Sequence, residues 1–209
     1  MREEIVESKP HKIVLLGDSK CGKSSLLRRH TRRTFSEDYV PTVFDSGSAE
    51  IVSDQNNDIK LNIWDTSGSS EFDHIRPLSF TEVAAFVICF DIDKPLSLEN
   101  VQKKWLPEVR SCNGDKPVIL VGCKLDLKVE TKITHGKYSI ACPQGMLVAK
   151  SIGAHAYIEC SCKTDENNVK VDKIFRVAAL LATGQASKIP KDVRIREANG
   201  KPNPKCSIM

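Results

Sequence analysis

The feature that most constrains the fold is an apolar run that leads directly into a loop rich in glycine and lysine. Ile13–Leu16 precedes the loop Gly17-Asp18-Ser19-Lys20-Cys21-Gly22-Lys23-Ser24, and a helical pattern begins at Ser24. In this spacing, backbone N–H groups surround a β-phosphate, the lysine contacts the β and γ oxygens, and the last hydroxyl meets Mg²⁺. A glycine-rich turn with a solvated lysine is the alternative. The strand before the loop and the helix after it favour phosphate binding.

The rest of the chain alternates apolar runs with helical patterns. Further strands are predicted at Ala49–Val52, Ile59–Trp64, Ala84–Ile92, Pro117–Gly122 and Ala156–Cys160. Helices are predicted around Leu98–Val109 and Gln144–Ile152, and a last helix with one apolar face ends near Gly184. This alternation predicts an α/β fold, a P-loop NTPase domain with a mainly parallel six-stranded sheet and helices on both faces. We assign residues 1–10 to an N-terminal extension, 11–185 to the domain and 186–209 to a flexible basic tail.

The charge distribution argues against a nucleic-acid-binding protein. The net charge of +4 comes wholly from Ala186–Met209, which holds six basic and two acidic residues, so residues 1–185 balance to zero. A nucleic-acid binder would have its basic face on the folded domain. The eight cysteines do not indicate a disulfide framework, because Cys21 lies in the phosphate loop and Cys89 and Cys160 lie in apolar runs. We therefore expect a reduced, cytosolic protein.

Three further motifs would complete a nucleotide site. Asp65-Thr66-Ser67-Gly68 follows a predicted strand and offers a carboxylate near the metal and a backbone N–H for a γ-phosphate. Cys123-Lys124-Leu125-Asp126 follows another strand, and its carboxylate can accept hydrogen bonds from N1–H and N2–H of guanine, which distinguishes bases by a factor of about 10⁴–10⁵. Ser161-Cys162-Lys163 would supply a backbone N–H to the guanine oxygen. A strand-end Lys-x-Asp alone is more often a solvated loop, but the chain order of these motifs favours guanine.

Together these motifs resemble the Ras superfamily of small GTPases, and within it the Rho family, over about residues 11–183. The Rho-like signs are the segments Tyr39–Phe44, Arg76–Leu78 and Lys103–Val109, together with Trp64 before the Asp65 motif. The resemblance implies GTP and Mg²⁺ as cofactors, with Ser24, Thr42 and Asp65 at the metal and Phe35 against the guanine. The full implied nucleotide site is Ser19, Lys20, Cys21, Gly22, Lys23, Ser24, Ser25, Phe35, Tyr39, Thr42, Gly68, Lys124, Asp126, Ser161, Cys162 and Lys163.

The chain departs from a hydrolysing member of this family at two positions. Ser69 stands where relatives carry the glutamine that orients the attacking water, and Ser19 replaces a glycine beside the γ-phosphate. A side chain at residue 19 would also crowd the arginine of an activating protein, whose contribution to the rate is about 10³–10⁵. We therefore assign no catalytic residue. The pair resembles the Rnd branch, which implies a persistently GTP-bound protein that opposes Rho-driven contractility of the actin cytoskeleton. A conventional switch that hydrolyses GTP and cycles with exchange factors and activating proteins is the alternative.

Other differences leave details open. Cys123 occupies a position where most relatives have asparagine or threonine, so it is either a weak hydrogen-bonding tie to the phosphate loop or a small buried side chain. Asp45-Ser46-Gly47 also differs from Rho relatives, which leaves the choice of effector open. The expected partners are effectors and regulators at two switch segments, Phe35–Phe44 and Gly68–Leu78.

The chain ends in Cys206-Ser207-Ile208-Met209, a prenylation motif whose terminal methionine favours a farnesyl group on Cys206. One lipid chain binds membranes only marginally, and basic residues add about 1 kcal/mol each near an anionic leaflet. We expect a monomer that attaches reversibly to the cytoplasmic face of the plasma membrane and keeps a cytosolic pool.

Overall fold

A computed structural model of the chain describes residues 9–38, 40–51, 58–128 and 142–195. Six strands form one sheet: β1 (His11–Gly17), β2 (Phe44–Ile51), β3 (Ile59–Thr66), β4 (Val83–Asp91), β5 (Val118–Cys123) and β6 (Ala156–Glu159). Their spatial order is β2-β3-β1-β4-β5-β6, and only β2 runs antiparallel to its neighbour among these strands. The predicted mainly parallel six-stranded sheet is confirmed.

Helices cover both faces of the sheet, as predicted. They are α1 (Lys23–Arg32), α2 (Pro95–Asn100), α3 (Leu106–Asn113), α4 (Cys142–Ser151) and α5 (Asn168–Ala182), with a π-helical turn at Val101–Trp105 joining α2 to α3. One core cluster contains Leu26 of α1 and Phe175 of α5, and the other contains Trp105 and Ala149 of α4. Because both faces are covered, every residue of β5 is buried, which explains its uninterrupted apolar sequence.

The sheet register places the ends of several strands at one edge. Gly17 of β1 lies beside Cys89 of β4, Leu15 pairs with Asp65 of β3, and Asp91 pairs with Cys123 of β5. The carboxyl ends of these parallel strands therefore meet, and the loops that follow them surround a common space.

Strand β2 begins at Phe44, five residues before the predicted start at Ala49. Asp45 to Ser48 give little strand signal, but each of them pairs with a residue of β3. Gly47 also lies where α1 crosses the sheet, since a Cβ there would be 2.9 Å from Cδ1 of Leu27. The sheet edge and the packing of α1 therefore extend this strand. The predicted end at Val52 lies outside the described residues.

The predicted flexible tail beginning at Ala186 is wrong for residues 186–195. Ile189, Val193 and Ile195 are buried, and the N–H of Ile195 donates to the carbonyl of His155 at 3.0 Å. The N–H of Tyr157 donates to the carbonyl of Val193 at 3.0 Å, so this segment adds an antiparallel bridge to β6. Its apolar residues show no helical or strand period, and the free edge of β6 selects their conformation. Residues 196–209 lie outside the described part of the chain.

In the described ranges no helix combines the length and the apolar composition needed to cross a bilayer.

Candidate functional site

The loops at the carboxyl ends of the strands enclose a cleft of about 790 Å³. Three loop groups line it: the phosphate loop, the segments flanking Thr42 and Gly68, and the two loops that follow β5 and β6. The sequence-predicted site residues on its wall are Ser19, Lys20, Gly22, Lys23, Ser24, Ser25, Phe35, Thr42, Gly68, Lys124, Asp126, Cys162 and Lys163. Its volume lies within the range of small-molecule and cofactor sites.

Three of the predicted residues that the structure describes stand apart from that wall. Cys21 and Asp65 are buried, and Ser161 is buried against Asp126, to which its hydroxyl donates a hydrogen bond. Burial raises the pKa of the Cys21 thiol to about 12, which keeps it protonated. Tyr39 and the lipidation candidate Cys206 lie outside the described residues.

The phosphate loop is shaped by glycines and by a buried lysine. A Cβ on Gly17 would lie 2.1 Å from the carbonyl oxygen of Cys89, and Gly22 has φ +118°, so both positions require glycine. Nζ of Lys23 donates to the carbonyls of Gly17 at 2.8 Å and Asp18 at 3.0 Å. Helix α1 begins at Lys23, so the partial positive charge of its first turn points into the cleft. The loop presents a cationic, N–H-rich surface suited to phosphate.

Three oxygen-bearing side chains provide a fit for a hard cation. The hydroxyls of Ser24 and Thr42 are 2.9 Å apart, and Asp65 is fully buried. Neither carboxylate oxygen of Asp65 has a hydrogen-bond partner in the described part of the chain. Burial raises the pKa of Asp65, while the nearby Ser24 hydroxyl and the Lys23 ammonium oppose that shift. A Mg²⁺ ion would satisfy the orphaned carboxylate, because oxygen ligands are those that Mg²⁺ prefers.

The segment after β3 lies directly on the phosphate loop. A Cβ on Gly68 would be 2.4 Å from the carbonyl oxygen of Gly17 and from the N of Ser19. The hydroxyl of Ser69 accepts a hydrogen bond from the N–H of Glu71 at 3.4 Å and caps the 3₁₀ helix Ser70–Phe72. The hydroxyl of Ser67 in turn accepts from the N–H of Ser69 at 3.3 Å. The side chain at residue 69 thus has a local structural role, which the sequence did not indicate.

The two loops expected to contact the guanine base, which follow β5 and β6, are joined to each other, and the first of them also contacts the phosphate loop. The N–H of Leu125 donates to the carbonyl of Cys160 at 3.0 Å, and Nζ of Lys124 donates to Asp91 at 2.7 Å. Cys123 is buried, and its Sγ would lie 3.3 Å from a Cβ on Gly22. Hydrogen bonds from the thiols of Cys160 and Cys89 lower the pKa of Cys123, against the effect of burial. Cys123 is therefore a small buried side chain that contacts the phosphate loop by packing.

A network behind the cleft was not predicted. Nε1 of Trp105 donates to Asp18 at 2.7 Å, and the guanidinium of Arg76 lies 4.7 Å from the centre of the Trp105 ring. Arg76 also donates to the carbonyl of Ser67 at 2.7 Å and to Glu108 at 2.8 Å. The network connects the phosphate loop to the Gly68 segment through the helical region. Its signal in the sequence was the Arg76-Pro77-Leu78 motif, which by itself does not reveal these contacts.

The sheet order and the cleft define a nucleotide-binding domain of the P-loop class. The profile of the Ras family matches residues 12–182. The chain is 42% identical over 182 residues to Rho-related GTP-binding protein RhoE of Homo sapiens, covering 85% of this chain and 73% of the relative. It is 41% identical over 173 residues to GTP-binding protein rho5 of Schizosaccharomyces pombe (80% and 84%) and 42% identical over 170 residues to GTP-binding protein RHO1 of Saccharomyces cerevisiae (78% and 80%). The chain belongs to the Ras family and is a Rho-type small GTP-binding signalling protein.

Proposed function

We propose that this protein is a persistently GTP-bound Rho-type signalling protein, similar to the Rnd branch, with little or no GTP hydrolysis. The observation that carries the proposal is the environment of Ser69. Its hydroxyl caps the turn that begins at Ser70, and a serine is too short both to make that contact and to align a water at a γ-phosphate. Ser19 lines the same cleft and adds a side chain beside the expected γ-phosphate. Ser69 and Ser19 thus stand in place of the glutamine and the glycine on which hydrolysis in this family depends.

The binding side of the site supports retention of GTP and Mg²⁺. Lys23 and the α1 N-terminus supply positive charge for the phosphates, while Ser24, Thr42 and Asp65 supply oxygen ligands for the cation. Asp126 and the loop after β6 would recognise guanine. The residues expected to bind GTP are thus retained, whereas two residues expected to support its hydrolysis are replaced by Ser19 and Ser69.

Effectors would bind the two switch segments. Val40, Val43 and Phe44 of the first segment and Ile75 and Leu78 of the second are exposed apolar side chains. Exposed apolar clusters of this kind are typical of protein–protein contact sites. With hydrolysis weak, the display of this surface would be controlled by the amount and the location of the protein, and the output would be regulation of Rho signalling and the actin cytoskeleton.

Membrane attachment would use a farnesyl group on Cys206 together with the basic residues beyond Ile195. Three of the six tail cations, Lys188, Lys191 and Arg194, lie in the segment that packs on the domain. Fewer free cations therefore remain near the lipid, which supports reversible attachment of a monomer to the cytoplasmic face of the plasma membrane. Loss of membrane binding in Cys206→Ser, with nucleotide binding intact, is the expected result.

The decisive test is the nucleotide carried by the purified protein, followed by single-turnover hydrolysis with and without a Rho-type activating protein. We expect mostly GTP on extraction and no stimulation by the activator. The double variant Ser19→Gly/Ser69→Gln should hydrolyse GTP measurably, because it restores both the space and the amide. Ser111→Gln, at an exposed serine of α3 that does not line the cleft, is the control. Bound GDP in the wild type, or strong activation, would support the conventional switch instead.

A further inference from the structure

We propose that Arg29 is a positioning residue for guanine recognition, acting through the loop Ser161–Lys163 to favour a base that carries the O6 carbonyl. Arg29 belongs to the basic run Arg28–Arg33 at the end of α1, to which the sequence analysis assigned no role. Its side chain is only 5% exposed, although it carries a full positive charge. Buried arginines at such positions require a dense set of acceptors.

All five N–H groups of the Arg29 guanidinium have an acceptor. Nε and Nη2 donate to the carbonyl of Cys162 at 2.8 and 2.6 Å, and Nη2 also donates to the carbonyl of Lys163 at 3.2 Å. Nη1 donates to Asp165 at 2.7 Å and to the carbonyl of Arg33 at 3.3 Å. Three of the five bonds therefore hold two consecutive carbonyls of the loop that follows β6.

The same loop is held from its other side by the residue expected to recognise guanine. The hydroxyl of Ser161 donates to Asp126 and accepts from the N–H of Lys163 at 3.1 Å. Because the C=O and N–H of a trans peptide point in opposite directions, fixing the carbonyl of Cys162 on Arg29 directs the N–H of Lys163 toward Ser161. The loop is therefore fixed between Arg29 and Asp126, with Cys162 and Lys163 on the wall of the cleft.

The charge of Arg29 also has an electrostatic effect on the base. The positive charge of Arg29, held behind the loop, makes the electrostatic potential at the loop more positive, and this effect does not require the N–H of Lys163, which donates to Ser161. Guanine presents a carbonyl acceptor at position 6, whereas adenine presents an amino donor. A positively polarised loop thus favours guanine and disfavours adenine, in addition to the contacts made by Asp126.

The proposed effect of the Arg29 charge on the base does not depend on the ion pair between Arg29 and Asp165. Asp165 is 86% exposed, so its contact with Arg29 is screened by water and contributes little. The carbonyls of Cys162 and Lys163 are the partners that matter for the base. This separates a positioning role of Arg29 from a surface salt bridge.

The test compares GDP with 2-aminopurine riboside diphosphate, which keeps the N2 amine but lacks O6 and the N1 proton that accompanies it. Equilibrium dissociation constants are measured by displacement of a fluorescent GDP analogue from the full chain with Mg²⁺ present. We expect Arg29→Met, which keeps the length of the side chain and removes its donors, to reduce the preference for GDP about tenfold, the size of one weakened hydrogen bond. Because GDP is used, the result is independent of whether the protein hydrolyses GTP.

Two further variants make the test specific. Arg29→Lys keeps the charge but cannot bind two carbonyls with a planar fork, so it should reduce the preference at least about threefold. Asp165→Asn should leave the preference unchanged. Equal loss of affinity for both nucleotides in Arg29→Met would show a merely structural role and overturn the proposal. If Arg29→Met does not fold, an unchanged preference in Arg29→Lys overturns it, and so does a reduction in Asp165→Asn as large as that in the arginine variants.

Discussion

Replacement of Arg76 by methionine should destabilise the domain strongly, because it removes one partner of a buried ion pair. The Arg76 side chain is 1% exposed and Glu108 is 15% exposed, with 2.8 Å between Nε and Oε1. Loss of one partner of a buried pair costs about 3–5 kcal/mol, and the partial exposure of Glu108 places the expected loss near 3 kcal/mol. For a domain of this size, that corresponds to a fall in Tm of about 6–12 °C.

The contact of Arg76 with Asp73 provides a control variant. Asp73 is 44% exposed, so Asp73→Asn should cost less than about 1 kcal/mol even though Asp73 contacts the same guanidinium. Unfolding in urea is followed by circular dichroism at one fixed concentration of GDP and Mg²⁺, and the contribution of ligand binding is subtracted with the Kd measured for each variant. Adding Glu108→Leu to Arg76→Met should recover at least about 1 kcal/mol, because the unpaired carboxylate is removed. A loss below about 1 kcal/mol in Arg76→Met, or an equal loss in Asp73→Asn, would refute this reasoning.

Three other perturbations test separate features. Gly68→Ala places a Cβ 2.4 Å from backbone atoms of Gly17 and Ser19, which would displace the N–H of residue 68 from the expected γ-phosphate. Affinity for a non-hydrolysable GTP analogue should therefore fall about tenfold or more while affinity for GDP is kept. Equal losses of affinity for the two nucleotides would contradict this. Burial lowers the pKa of His30, partly opposed by its Asp172 partner, so the fold prefers the neutral ring. In the unfolded chain His30 is protonated below the ordinary histidine pKa of about 6.5, so the free energy of unfolding falls as the pH is lowered from 7 to 5. Urea titrations of His30→Gln should show a smaller decline in the free energy of unfolding than those of the wild type. Ile195→Ala should lower stability by about 2 kcal/mol in the same titration, and an unchanged value would show that the segment does not pack on the domain.

The class of fold and the gathering of most predicted site residues around one cleft were predictable because they depend on local patterns. A strand, a glycine-containing loop and a helix must be contiguous to wrap a phosphate, so the stretch from Ile13 to Ser24 specifies that unit by itself. The apolar runs of β4 and β5 similarly indicated buried parallel strands. Lys23, Gly68 and Asp126 reach the cleft because they lie in or directly after the loops that follow β1, β3 and β5.

Contacts between distant segments were not predictable in the same way. Arg29 meets the carbonyl of Cys162 across 133 residues of sequence, and Trp105 meets Asp18 across 87. No local pattern marks such pairs, since the spacing between them is set by loops and helices of variable length. The prediction for residues 186–195 failed for a related reason, because the free edge of β6 supplies hydrogen bonds that the segment cannot make alone.

The sequence by itself determined a P-loop domain of Rho-type character, and it predicted the motifs for guanine recognition and the two serines that bear on hydrolysis. It did so because motifs that surround a phosphate or a base consist of short, contiguous stretches with obligatory residue types. Only the tertiary structure decided how these stretches are held. Ser69 caps a 3₁₀ helix, Arg76 binds the segment around Gly68 from behind, and Arg29 binds the carbonyls of the loop Ser161–Lys163. Buried cations and orphaned carboxylates acquire their roles only when the fold brings their partners within hydrogen-bonding distance and excludes water from them.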